Sequence, residues 1–153
     1  MPNAIPLSRD TIESRLIDLD NATKELDKLA AIPELTFHSD PHNLALASFY
    51  LQRSLEDILG IGTHLLARLL VPVTVEEYAH IIPELAKVGI VSTSFAERNA
   101  KLGSYRNRLV HHYLNITSQE IYSLIHEHRD DLIEYGRAIK KVLDTPDRYG
   151  FVV

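Results

Sequence analysis

The chain has 153 residues, 45% of them hydrophobic, and a formal net charge of −5. That length suits one domain, residues 1–153, of the size that closes around its own apolar core. Cysteine is absent, which excludes disulfides and thiolate metal sites and suits a reducing cytoplasm, while the acidic balance argues against indiscriminate nucleic-acid binding.

The first residues, Met1-Pro2-Asn3-Ala4-Ile5-Pro6, carry neither a basic region nor an apolar core of signal-peptide length. A cytoplasmic location without a membrane span is therefore expected. No apolar run approaches the about 20 residues that a span needs. The longest, around Leu65 to Val75, is broken by Arg68, Pro72 and Thr74.

A first helix is predicted over residues 8–31. Ile12, Leu16, Leu19, Thr23, Leu26 and Ala30 recur at spacings of three and four, one stripe of an amphipathic helix. Pro33 follows its end, and a polar loop through Ser39, Asp40 and Pro41 leads to a second helix over residues 42–70. Leu44, Ala47, Leu51, Leu55, Ile58, Gly62, Leu65 and Leu69 form its stripe, and Leu46, Phe49, Leu59 and Leu66 widen it. This is the expected central helix. Gly60 and Gly62 mark either close packing or a kink. Thr74-Val75-Glu76-Glu77 reads as a capping box opening a third helix, which Pro83 bends or restarts and which ends near Gly89.

Ser94-Phe95-Ala96-Glu97 reads as a second capping box, opening a fourth helix that runs into the most reactive part of the chain, with Gly103 weakening it on the way. Thr117-Ser118-Gln119-Glu120 is a third. It opens a fifth helix with the stripe Ile121, Leu124, His128, Leu132, Tyr135, Ile139 and Val142, followed by an irregular tail over residues 144–153. No strand, repeat or low-complexity segment is predicted. The expected fold class is all-α, a helical bundle of about five helices.

The fourth helix carries Arg106-Asn107-Arg108-Leu109-Val110-His111-His112-Tyr113. Between Ala96 and Tyr113 there are four cations and one anion, a basic island on an acidic body, which fits a site for a specific polyanion or an acidic partner. Cleavage of RNA without a metal needs a base for the ribose 2′-hydroxyl, an acid for the leaving oxygen and a cation for the charge on phosphorus. Histidine suits the proton transfers and arginine suits the phosphate, so Arg106 and His111 form a minimal catalytic pair. Five residues apart on a helix, they point about 140° away from each other. Asn107 shares a face with His111, and Arg106 shares one with Tyr113. The pair therefore needs a distorted helix, a groove, or a two-fold dimer that joins two copies.

The pattern Arg-Asn-x-x-Val-His-x-Tyr, at Arg106, Asn107, Val110, His111 and Tyr113, resembles the HepT-like branch of the HEPN superfamily, in a chain of matching length and helix order. The resemblance implies a HEPN-like homodimer and a ribonuclease toxin that acts on tRNA or other RNA. It also implies a partner, a minimal nucleotidyltransferase (MNT) antitoxin able to add AMP to Tyr113. Asn115-Ile116-Thr117 stands where related sequences often carry an acidic residue.

Beside these, Arg108 and His112 read as rim residues able to contact RNA, Asn107 as a residue that positions substrate or bonds the backbone, and Tyr105 as core or a base-stacking ring. His126-Glu127-His128 does not make a metal site, because adjacent helical residues diverge and His-Glu-x-x-His is missing. His38 and His42 are separated by Asp40-Pro41, which makes a regular helical pair improbable. With no glycine-rich phosphate loop, Rossmann fingerprint or nucleophile elbow, neither metal nor cofactor is expected. The competing expectation is a non-catalytic HEPN module that dimerises or binds nucleotide beside a nucleotidyltransferase.

Overall fold

A computed structural model of the chain describes residues 5–70 and 78–153. Among these residues there are seven α-helices and no strand: α1 (Arg9–Ala30), α2 (Glu34–Ser39), α3 (Pro41–Arg68), α4 (Tyr78–Lys87), α5 (Thr93–Arg98), α6 (Leu102–His111) and α7 (Ser118–Asp144). The expected all-α bundle is present. Helices α1, α3, α4 and α7 correspond to predicted ones, α5 and α6 share the span predicted as the fourth, and α2 is a six-residue addition.

Helix α3 is the centre. It packs against α1, α2, α4, α6 and α7, and Leu55, Ile58, Ile61, Leu65 and Leu66 on it are fully buried. Gly62 marks close packing rather than a kink, because a Cβ there would collide with Ile81 and Leu85 of α4. Tyr135 of α7 is buried with its ring stacked on Phe95, 6.0 Å between centroids, and its hydroxyl donates to the Ile58 carbonyl at 2.8 Å. Burial drives its pKa upward.

Local chemistry sets the helix ends. Asp40 caps α3 by accepting from His42 N–H at 3.0 Å, with Pro41 in the first turn. Gly89 ends α4 with φ +80°. Ile90 N–H bonds Leu85 O and Gly89 N–H bonds Ala86 O, the paired bonds of a Schellman cap. Pro83 is accommodated inside α4. The predicted cap at residues 74–77 lies outside the described residues.

Two expectations change. The stretch read as a polar loop contains α2, which turns Phe37 fully into the core. The proposed fourth helix is two helices. Ser92, not Ser94, is the N-cap, accepting from Phe95 N–H at 3.0 Å, and Ser94 Oγ accepts from Arg98 instead. The chain leaves α5 at Asn99, which is fully buried. The Asn99 amide donates to Phe95 O at 2.9 Å and lies 3.0 Å from His128 Nδ1. A buried side chain bonded both to its own preceding turn and to α7 fixes the break.

The tail is docked: it makes a 3₁₀ turn at Pro146–Tyr149, buries Phe151 and accepts from Leu7 N–H through Val152 O at 2.8 Å.

Between α1 and α3 lies a carboxyl pair. Asp57 is buried, lies 3.4 Å from Arg15 Nη1, and leaves Oδ2 without a donor. Burial, then its bond with Asp18, push its pKa up to about 8. Asp18 is held below the usual carboxylate value by the hydrogen bond from Asp57 and by Arg53. A proton retained on Asp57 thus gives it a donor for Asp18. The unfolded chain gives that proton up near pH 4, so the folded state holds it through the interval up to about pH 8, and stability falls as pH rises across that window. Asp57→Asn, which mimics the protonated form, is expected to flatten the decline and to gain about 1–3 kcal/mol at pH 9 but nothing at pH 4. Urea midpoints at the two pH values check this; equal effects at both sink it.

Candidate active site

Helix α6 begins by passing against the start of α4. A Cβ at Gly103 would lie 2.7 Å from the carbonyl carbon and oxygen of Tyr78 and 2.8 Å from Ala79 N. Glycine, expected only to weaken a helix here, is what permits two backbones to meet.

That approach seats Arg106, one turn on, above Tyr78, with Cζ 4.7 Å from the ring centroid. Its Nη2 lies 3.8 Å from Glu56 Oε1 of α3, and its Nη1 donates to Asn107 Oδ1 at 3.3 Å. Arg106 lines a pocket of about 380 Å³ together with Arg15, Glu56, Gly60, Thr63 and Tyr78. Sequence reasoning missed this pocket.

His111 is the last residue of α6. His112 leaves the helix at φ −134°, ψ 32°, its N–H still bonded to Arg108 O at 2.8 Å. Tyr113–Asn115 then makes a 3₁₀ turn, and Thr117 caps α7 by accepting from Glu120 N–H at 3.2 Å. The reactive segment was expected inside one helix, with Tyr113 on the stripe of Arg106 and core as its default. Instead the helix stops first, because the chain must reverse into α7, and Tyr113 is 64% exposed. Asn107, His111 and His112 are also exposed, and neither histidine bonds a described residue.

Arg106 and His111 are not in hydrogen-bond contact: one guanidinium is turned toward α3, and the imidazole stands at the exposed end of α6. Asn107 lies between them, bonded to Arg106 and one helical turn before His111. Arg108 is engaged by Glu120, with both guanidinium nitrogens on the carboxylate and the Nη2–Oε2 bond at 3.0 Å. This fork ties α6 to the first turn of α7. Glu120 is the residue the capping box would have returned to Thr117.

Three of the other histidines pack within the bundle. His126 lies against the Ala30 carbonyl at 2.9 Å, His38 bonds Ser118, and His128 is buried between Asn99 and Asp131 with Tyr105 packed edgewise at 6.1 Å. Among the described residues no group of carboxylates and histidines is arranged to hold a metal, and no helix is long and apolar enough to cross a membrane.

Comparison with known proteins places the chain in a family. The chain is similar to a HEPN toxin from Shewanella oneidensis, solved tri-AMPylated in complex with its MNT antitoxin. The TM-score is 0.76 at 17% identity, over 88% of this chain and 99% of that one. A toxin–antitoxin structure with AMP-PNP gives a TM-score of 0.77 at 16% identity, over 87% and 99%. YutE of Bacillus subtilis, a cytosolic protein of unknown function, gives 0.78 at 23% identity, over 92% and 93%. These likenesses show the HEPN fold. None of the curated proteins matches the chain in sequence. The model of the ribonuclease HepT-like family matches residues 19–139, and the chain therefore belongs to the HepT-like family.

Proposed function

We propose that the chain is a metal-independent endoribonuclease toxin, with Arg106 and His111 as its catalytic residues and Asn107 as the residue that positions them. The observation that carries this reading is the Arg106–Asn107 hydrogen bond one helical turn before an exposed His111. The 2′-hydroxyl of the substrate attacks the adjacent phosphorus, its proton passes to an imidazole, and the departing 5′-oxygen takes a proton from an acid, leaving a cyclic phosphate. Arg106 neutralises the charge that builds on the phosphoryl oxygens. In a homodimer with two α6 ends facing each other, one His111 takes the first proton and the other supplies the second. His112 and Arg108 stand beside them for the RNA backbone, Arg108 after exchanging Glu120 for phosphate. Transfer RNA is the first substrate class to test.

The partner in this reading is an MNT-type nucleotidyltransferase. HEPN toxins of the same fold are found with MNT antitoxins and, in one case, tri-AMPylated. The exposed Tyr113 hydroxyl is open to attack the α-phosphorus of ATP, losing its proton as pyrophosphate leaves. The chain would then carry AMP beside its own catalytic residues.

Purified protein incubated with total tRNA in EDTA is expected to cut it, and the Arg106→Ala and His111→Ala variants are expected not to. Intact tRNA with the wild-type chain overturns the catalytic reading and favours a non-catalytic HEPN partner.

A further inference from the structure

Residue Gly60 sits within the 28-residue α3, where glycine is disfavoured relative to alanine. Its place is taken by an arginine from another helix. A Cβ at Gly60 would lie 2.6 Å from Cζ, 2.8 Å from Nη1 and 2.9 Å from Nε of Arg15. The Arg15 guanidinium is thus laid on the bare backbone of α3, into the same pocket of about 380 Å³ that Arg106 enters from α6. Two planar, permanently charged forks share one cavity, and among the described residues its lining carboxylate is Glu56.

The other bonds of Arg15 leave it available. Its contacts with Glu56 O and Asp57 Oδ1 are both long, at 3.4 Å, and its side chain is 42% exposed. Asp57 keeps its proton near neutrality, so it does not cancel the charge of Arg15. Glu56, 3.8 Å from Arg106 Nη2, offers one carboxylate to two guanidiniums, and a phosphate accepting from both forks supplies the further negative charge.

Resting on the ribonuclease reading above, we propose that Arg15 is a second phosphate-binding residue, which holds a backbone phosphodiester of the RNA strand in the pocket between α1, α3 and α6 alongside Arg106. Gly60 is the positioning residue that lets it reach. Arg15 touches substrate but moves no proton, so its contribution falls on binding, not on the chemical step.

The test is the binding of a fluorescent single-stranded 2′-O-methyl oligoribonucleotide, which lacks the attacking hydroxyl, followed by anisotropy across a salt series. Arg15→Gln is expected to bind about tenfold more weakly, and its plot of log K against log salt is expected to flatten by about 0.7, the loss of one phosphate contact on a single strand. Arg15→Lys restores part of the affinity. Gly60→Ala displaces the guanidinium without changing its charge and is expected to weaken binding while thermal stability is kept or raised, which separates the effect from misfolding. With cleavable RNA, Arg15→Gln raises KM and leaves kcat near wild type. Affinity and salt slope unchanged in both Arg15→Gln and Gly60→Ala overturn the assignment of Arg15. A wild-type chain that binds the oligonucleotide through Arg15 yet cuts no RNA overturns the catalytic reading and upholds the binding site; one that does not bind it overturns both.

Discussion

Replacing His111 with alanine is expected to lower RNA cleavage by about a hundred- to ten-thousandfold, the range spanned by loss of a general acid or base. The fold is expected to survive. His111 is the exposed final residue of α6 and makes no hydrogen bond with a described residue, so the change in unfolding free energy stays within about 0.5 kcal/mol. Cleavage of labelled tRNA and a thermal melt by circular dichroism, on the same preparation, read both quantities. A folded variant as active as wild type removes His111 from the chemistry. If both members of a dimer contribute an imidazole, mixing the variant with wild type lowers activity by more than the dilution of wild-type chains.

Gly103→Ala is expected to have the largest effect on the scaffold of the site. On an isolated helix this change is favourable by about 1 kcal/mol. Here the new Cβ would stand 2.7 Å from the Tyr78 carbonyl, and a backbone group cannot rotate aside as a side-chain tip can. Helix α6 must move off α4, at a net cost of about 1–3 kcal/mol. Arg106 would lose its seat over Tyr78 in the same movement, so activity falls with stability. Denaturant unfolding gives the sign: a raised midpoint would show that the two backbones have room to spare.

The contrast between Gly103 and Gly60 shows what a sequence conceals. Both stand in helical segments, and both look like weak points. One admits a neighbouring backbone and the other an arginine 45 positions away in the chain. Helices α1, α3 and α7 were legible because long amphipathic stripes repeat every three or four residues and each buries a continuous face. Helix α2 was not, since six residues with one inward ring, Phe37, contain no period to detect. The break at Asn99 was hidden because its cause includes a bond to His128 of α7, which no local pattern announces. The candidate catalytic residues of α6 were named from side-chain chemistry and a family pattern. Their disposition was not: where α6 ends depends on the reversal into α7 and on the Arg108–Glu120 fork. The pocket that joins Arg15 to Arg106 required knowing which faces of three helices converge.

The exposed end of α6 has a consequence for heredity. Asn107, His111, His112 and Tyr113 stand in solvent, whereas the residues that hold the bundle together lie on other positions, chiefly α3 and α7. Single codon changes at these four positions leave the folded population almost intact. If the chain is the toxin proposed above, with these residues in its site, loss of harm is one mutation away and carries no burden of aggregated protein. A chain silenced in this way would still present its unaltered helices to the proposed partner.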